Sequence, residues 1–145
     1  MEIQVRRLDP DLPLPSYATR GDAGLDLLAA EDVTLAPGER SAVSTGLAVA
    51  IPEGYAGFVH ARSGRAIKEG LALVNAPGLI DSGYRGEIKV VIVNLDPESK
   101  ILIRRGDKIA QLVIQKIEQI SLRPVDDLGV SERGEGGFGS TDRDP

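Results

Sequence analysis

The chain has 145 residues, enough for one domain that buries on the order of two-thirds of its unfolded-state surface. It has no cysteine and one histidine, His60, which excludes a disulfide framework, thiolate metal sites and a cysteine nucleophile, and leaves histidine-based metal sites and Ser-His-Asp chemistry without material. The net charge of −5 opposes a general nucleic-acid surface, which would be basic, but allows a small anionic ligand held by local arginines. Any metal chemistry would run on carboxylates and ligand oxygens, pointing to magnesium rather than zinc. Residues Met1 to Arg7 show no apolar h-region, and no stretch approaches the roughly 18 apolar residues of a membrane span. The expectation is a soluble, cytoplasmic chain with neither nucleic acid nor membrane as partner.

The apolar residues are mostly Val, Ile, Leu and Ala, broken at short intervals by glycine and proline, the pattern of many short strands. Ile3 to Leu8 alternates before the Pro10–Pro15 break. Val33 to Leu35 stops at Ala36-Pro-Gly-Glu39, and Ser41 to Ile51 runs to Pro52-Glu-Gly54. Tyr55 to His60 and Leu71 to Val74 are short strands. The one helix expected is Ser63 to Glu69. Glu87 to Leu95 is β-branched and apolar on both faces, as in a central strand. Lys100 to Ile103 and Ile109 to Ile117 flank an Arg104-Arg-Gly-Asp107 turn. This predicts an all-β sandwich or barrel over residues 1–125, with one short helix, followed by a flexible glycine-rich C-terminal arm over 126–145.

Polar residues that stand out collect in four loops and the arm. Asp22 and Asp26 in Gly21-Asp-Ala-Gly-Leu-Asp-Leu27 make either a plain turn entering a strand or a carboxylate loop near a cation. Arg62-Ser63-Gly64 before the helix reads two ways: Ser63 as an ordinary N-cap with Arg62 and Arg65 solvated, or a phosphate site of guanidinium, hydroxyl and free N–H groups. In Asn75-Ala-Pro-Gly-Leu-Ile-Asp-Ser-Gly-Tyr-Arg-Gly-Glu87, Asp81 either caps its own turn or is a partly buried general base. There Tyr84 could close over a sugar, and Asn75 offers donors and an acceptor to a base edge. Gln111, inside an apolar strand, must be structural or ligand-facing. The arm, Arg133-Gly-Glu-Gly-Gly-Phe-Gly-Ser-Thr141, has P-loop glycine spacing at Gly134 and Gly139 but lacks the following Lys and helix, so it is no P-loop.

Taken in order, these five segments resemble the motifs of trimeric dUTP pyrophosphatases: residues 23–27, 62–64, 78–87, 105–112 and 133–141. The resemblance implies a jelly-roll-like homotrimer that hydrolyses dUTP to dUMP and pyrophosphate by water attack on the α-phosphorus, with Mg2+ on the triphosphate. Such an activity limits uracil incorporation into DNA and supplies dUMP for thymidylate synthesis. By motif position, Asp81 would deprotonate the water and contact the 3′-hydroxyl, and Tyr84 would pack on the deoxyribose and exclude a ribose. Asn75, with backbone near Gly78, Leu79, Ile80 and Lys89, would read uracil. Arg62, Ser63, Gly64 and Gln111 would hold phosphates, and Asp26 would support the metal's water shell. From the arm, Arg133, Gly139, Ser140 and Thr141 would clamp the substrate while Phe138 stacks on uracil, closing a site between other subunits.

Stacking on one aromatic is worth roughly 1–3 kcal/mol, against about 1–2 kcal/mol for ordering each arm residue, so the arm is expected to close only when phosphate contacts add to stacking. Three positions depart from the family pattern: Ala61 stands where proline is usual, Arg65 where leucine is frequent, and Lys108 where arginine is usual. Arg65 is expected to add charge beside the phosphate loop. The alternatives are a dCTP deaminase of the same fold, which would need a glutamate base near the pyrimidine amino group, and a non-catalytic nucleotide-binding regulator.

Overall fold

The structure, a computed structural model, describes residues 1–139. Eleven strands and one helix follow in chain order: β1 Gln4–Arg7, β2 Leu25–Leu28, β3 Val33–Leu35, β4 Arg40–Ser44, β5 Leu47–Ala50, β6 Tyr55–His60, α1 Ser63–Glu69, β7 Leu71–Leu73, β8 Gly78–Ile80, β9 Lys89–Asn94, β10 Ile101–Ile103 and β11 Lys108–Lys116. A four-stranded sheet runs β2-β11-β6-β8 and a three-stranded sheet β4-β9-β7, with two-stranded β1-β5 and β3-β10 ribbons. All strand pairs are antiparallel.

Alternation explains how these strands bury one face. Along β11, Ala110 and Leu112 point inward and pair with Leu27, Leu25 and Val59 on the neighbouring strands. Val90 and Ile92 of β9 join them in one aliphatic core with Val43, Leu73, Ile101 and Ile109. As expected, β9 is central in its sheet. Its other residues, Val91 and Val93, are half-buried rather than sealed.

Three details depart from the sequence reading. The stretch 41–51 is two strands, not one, because Gly46 takes a φ of +70°, a conformation costly for residues with a Cβ. Its carbonyl accepts bonds from Leu8 N (2.7 Å) and Asp9 N (3.3 Å), so β4 and β5 turn into different sheets. Residues 78–80, read as loop, form β8 on the edge beside β6. The helix begins at Ser63 with Arg62 at the N-cap, extended and without a side-chain cap bond; Ser63 is therefore not the cap.

Among the described residues every buried polar side-chain atom has a hydrogen-bond partner. Asn94, fully buried, donates from Nδ2 to Leu35 O (3.0 Å) and Ser99 O (2.8 Å) and accepts from Asp96 N at 2.9 Å. Thr45 Oγ1 donates to Ile88 O at 2.6 Å. From Glu118 to Gly139 no helix or strand forms, and Ile120, Leu122, Leu128, Val130 and Phe138 are largely exposed.

Candidate active site

Strand register gathers the first group of candidates. Asp26 of β2 lies opposite Gln111 of β11, and Gln111 opposite His60 of β6; directly paired residues project to the same face. Asp26 is buried, and its Oδ1 lies 3.0 Å from Arg62 Nε while Oδ2 lies 2.7 Å from Lys108 Nζ. Gln111 Nε2 reaches Asp26 Oδ1 at 3.5 Å. Burial opposes the charge of Asp26, but the Lys108 bond and the Arg62 and Lys108 charges outweigh it, holding the carboxyl below its ordinary value of 3.8. Ser63 and Gly64 sit exposed at the start of α1 beside this cluster.

The second group lines a cleft of about 300 Å³ between β8 and β9: Asn75, Gly78, Leu79, Ile80, Asp81, Tyr84 and Lys89, floored by Val59, Leu73 and Val90. Asp81 is exposed, not partly buried as one of its two readings had it. It follows the end of an edge strand, and its backbone carbonyl, not its carboxylate, closes the turn by accepting from Tyr84 N at 3.1 Å. The Tyr84 hydroxyl donates to Glu87 O at 2.8 Å. A Cβ on Gly86 would stand 2.6 Å from Cζ and 2.9 Å from Cε2 of that ring, so Gly86 is the seat on which Tyr84 lies.

Sequence reasoning missed two anchors. Glu87 accepts from Gly46 N at 3.0 Å and from Ser44 Oγ at 3.5 Å, fastening the Asp81–Glu87 loop to the β4–β5 corner. Lys108, noted only as a replacement, is the nearest cation to Asp26. No local signal marks either, since both partners are distant in sequence. Arg65 lies beside Arg62, as expected, but is not solvated: its guanidinium is engaged by Glu69, Leu102 O and Asp107.

The arm joins neither group in the described residues. Arg133 Nε donates to Gly136 O at 2.8 Å, and Phe138 is fully exposed. Ser140 and Thr141 lie outside the described residues. None of Arg62, Lys108, Gln111 or Asp26 lines the Asn75–Tyr84 cleft.

Among the described residues no group of three or more His, Cys, Asp or Glu side chains could cage a metal. One buried, anionic carboxylate between Arg62 and Lys108 instead fits indirect support, through water, of a Mg2+ that keeps most of its waters, the ion's common mode.

Cations around one carboxylate and a separate polar-rimmed cleft, both on an aliphatic antiparallel β fold, define a β protein equipped to hold a small anionic ligand. Residues 11–142 match the model of the dUTPase family. The chain is 60% identical over 141 residues to deoxyuridine 5'-triphosphate nucleotidohydrolase of Thermobifida fusca, covering 97% of this chain and 79% of that protein. It is 56% identical to the Mycobacterium leprae protein of that name, covering 96% and 94%. A point mutant of the dUTPase of Staphylococcus bacteriophage 80alpha, solved with dUpNHpp, superposes with a TM-score of 0.87 at 35% identity over 97% of this chain and 98% of that one. A dUTPase mutant of Staphylococcus aureus phage phi11, described with a structural Mg(II) ion, superposes at 0.81 with 32% identity over 88% and 99%. The chain belongs to the dUTPase family.

Proposed function

We propose that this protein hydrolyses dUTP to dUMP and pyrophosphate, and that its two residue groups are half-sites completed between subunits of a cytoplasmic homotrimer. The observation that carries the reading is the Asn75–Tyr84 cleft, whose carboxylate, amide and phenol converge on one opening. Asn75 and the backbone of Gly78 to Ile80 and Lys89 read uracil. Tyr84 backs the deoxyribose. Asp81, open to solvent at the rim, takes the proton of a water whose oxygen attacks the α-phosphorus. The new O–P bond forms as the bond to the bridging oxygen breaks, and pyrophosphate leaves with the electron pair. Phosphoryl transfer needs alignment and charge neutralisation more than covalent chemistry. Arg62, Ser63, Gly64 and Gln111 supply phosphate contacts. Bound through substrate phosphates beside Asp26, Mg2+ would neutralise charge that develops on the triphosphate.

Subunit sharing is supported by the separation of the two groups on one chain and by the row of exposed apolar side chains from Ile120 to Val130, which assembly would cover. The arm of residues 126–145 then closes a neighbouring site, with Phe138 on uracil and Arg133, Gly139, Ser140 and Thr141 on the substrate.

Pyrophosphate release measured across dUTP, dCTP, dTTP and UTP tests the assignment, with turnover confined to dUTP expected. Ammonia released from dCTP would overturn it in favour of a deaminase, and tight dUTP binding without turnover in favour of a regulator. Asp81→Asn is expected to lose about 10²–10⁴-fold in kcat while keeping nucleotide affinity; near-normal turnover would remove Asp81 from the base role.

A further inference from the structure

Helix α1 has little of its own to hold it. It is seven residues long, with no buried residue, no side-chain cap and no acidic residue in its first turn, and a helix that short is unstable alone. Yet it follows directly on Arg62 and carries Ser63 and Gly64. The side chain best withdrawn from water on its inner side is Arg65, at 15% exposure.

Arg65 reaches three elements. Its Nε pairs with Glu69 one turn along, and Nη2 lies 3.1 Å from Glu69 Oε1. Nη2 also donates to Leu102 O of β10 at 3.3 Å, and Nη1 lies 3.8 Å from Asp107 Oδ2. Asp107 in turn caps the Arg104–Asp107 turn by accepting from Arg104 N at 2.9 Å, and the next residue is Lys108, paired with Asp26. One guanidinium thus joins the segment that carries Arg62 to the segment that carries Lys108.

The charges sort accordingly. An open hollow is lined by Arg62, Arg65, Lys108, Glu69, Asp107 and Gly106. Arg65 faces both of its carboxylates, which leaves Arg62 and Lys108 to face Asp26. Without Arg65, Glu69 and Asp107 would stand uncompensated beside the two cations and compete with an incoming polyphosphate.

We propose that Arg65 is a positioning residue of the triphosphate site: it clamps Glu69 and Asp107 so that Arg62 and Lys108 keep their place and their charge for the β- and γ-phosphates. The proposal rests on the reading of Arg62 as a phosphate contact and assigns a task to a residue outside the family motifs. The test uses dUTP kinetics and calorimetric titration with α,β-imido-dUTP and with dUMP, all with magnesium. Arg65→Leu is expected to raise KM for dUTP and weaken the analogue about tenfold, the scale of one unit charge at partial screening. Affinity for dUMP, which lacks the outer phosphates, and kcat should stay within about twofold of the original. Arg65→Lys keeps the charge but not the fork and should lose about threefold on the analogue alone. An unchanged analogue affinity, or parallel losses for dUMP and the analogue, would overturn the proposal, and Arg65→Lys decides by the same criteria if Arg65→Leu does not fold. Arg62→Ala is the control. No loss there refutes the phosphate assignment of Arg62 itself, whereas loss there with none at Arg65 refutes only the clamp.

Discussion

Gly86→Ala is the sharpest probe of the proposed sugar platform. The added methyl would lie 2.6 Å from Cζ of Tyr84, against ordinary contact at 3.4 Å and beyond. The ring must therefore retreat by about 0.8 Å, because a methyl on the backbone has no rotamer to escape into. Retreat breaks the 2.8 Å bond from the Tyr84 hydroxyl to Glu87 O, a net loss of about 1 kcal/mol. Tyr84 is half-exposed, so Tm should fall by no more than about 4 °C. Function should suffer more, since displacement of a substrate-positioning group by about 1 Å can cost up to 10²-fold. With Tyr84 as the wall that excludes a 2′-hydroxyl, kcat/KM for dUTP should fall about 30-fold or more, and the preference for dUTP over UTP should narrow at least about tenfold. Steady-state pyrophosphate release with both nucleotides measures this. A dUTP-to-UTP ratio within twofold of the original would refute the argument that Gly86 fixes specificity through Tyr84.

Other perturbations separate the arm, the core and the charges. Deleting the residues after Glu132 is expected to depress kcat while light scattering still reports the proposed trimer; dissociation to monomers would make the arm an assembly element instead. Asn94→Leu strips Leu35 O, Ser99 O and Asp96 N of their bonds; only Leu35 is itself buried, so the free energy of unfolding in urea should fall by about 1–3 kcal/mol. Asp96 accepts from Ser99 N at 2.6 Å and Glu98 N at 2.9 Å, and these bonds hold its carboxyl below 3.8. A depressed folded value means stability that is present above 3.8 and lost as pH falls through the lower value. The Tm deficit of Asp96→Asn should therefore persist from pH 7 to about 4 and shrink below that; a deficit independent of pH would remove the charge from the account.

What local sequence reveals here is whatever depends on neighbours along the chain. Val33–Leu35, Tyr55–His60 and Ser63–Glu69 were expected with the bounds the structure has, because β-branched runs, turn residues and a Gly70 stop act within a few residues. Gly78–Ile80 was not, since three residues after a proline carry no alternation and become a strand only beside β6. The same divide runs through the site. Segments 75–87 and 62–64 stand out by composition, but Lys108 meets Asp26 across most of the chain's length, and Glu87 meets Gly46 through a corner set by backbone conformation. The reading that left Arg65 solvated, one of the two that segment 62–65 allowed, fails for the same reason: Asp107 and Leu102 O reach it only after β10 and its turn have folded.

The segment beyond β11 also bears on how much of this protein a cell can keep. Its aliphatic core forms within one chain, but Ile120, Leu122, Leu128 and Val130 remain bare on that chain, an extended apolar strip of the kind that proteases and chaperones recognise. Under the proposed trimer, burial of that strip depends on meeting two further copies. The lifetime of a newly made protomer would then rise with its own abundance: scarce copies are cleared, plentiful ones survive. Expression level would set the amount of enzyme with a threshold rather than in proportion.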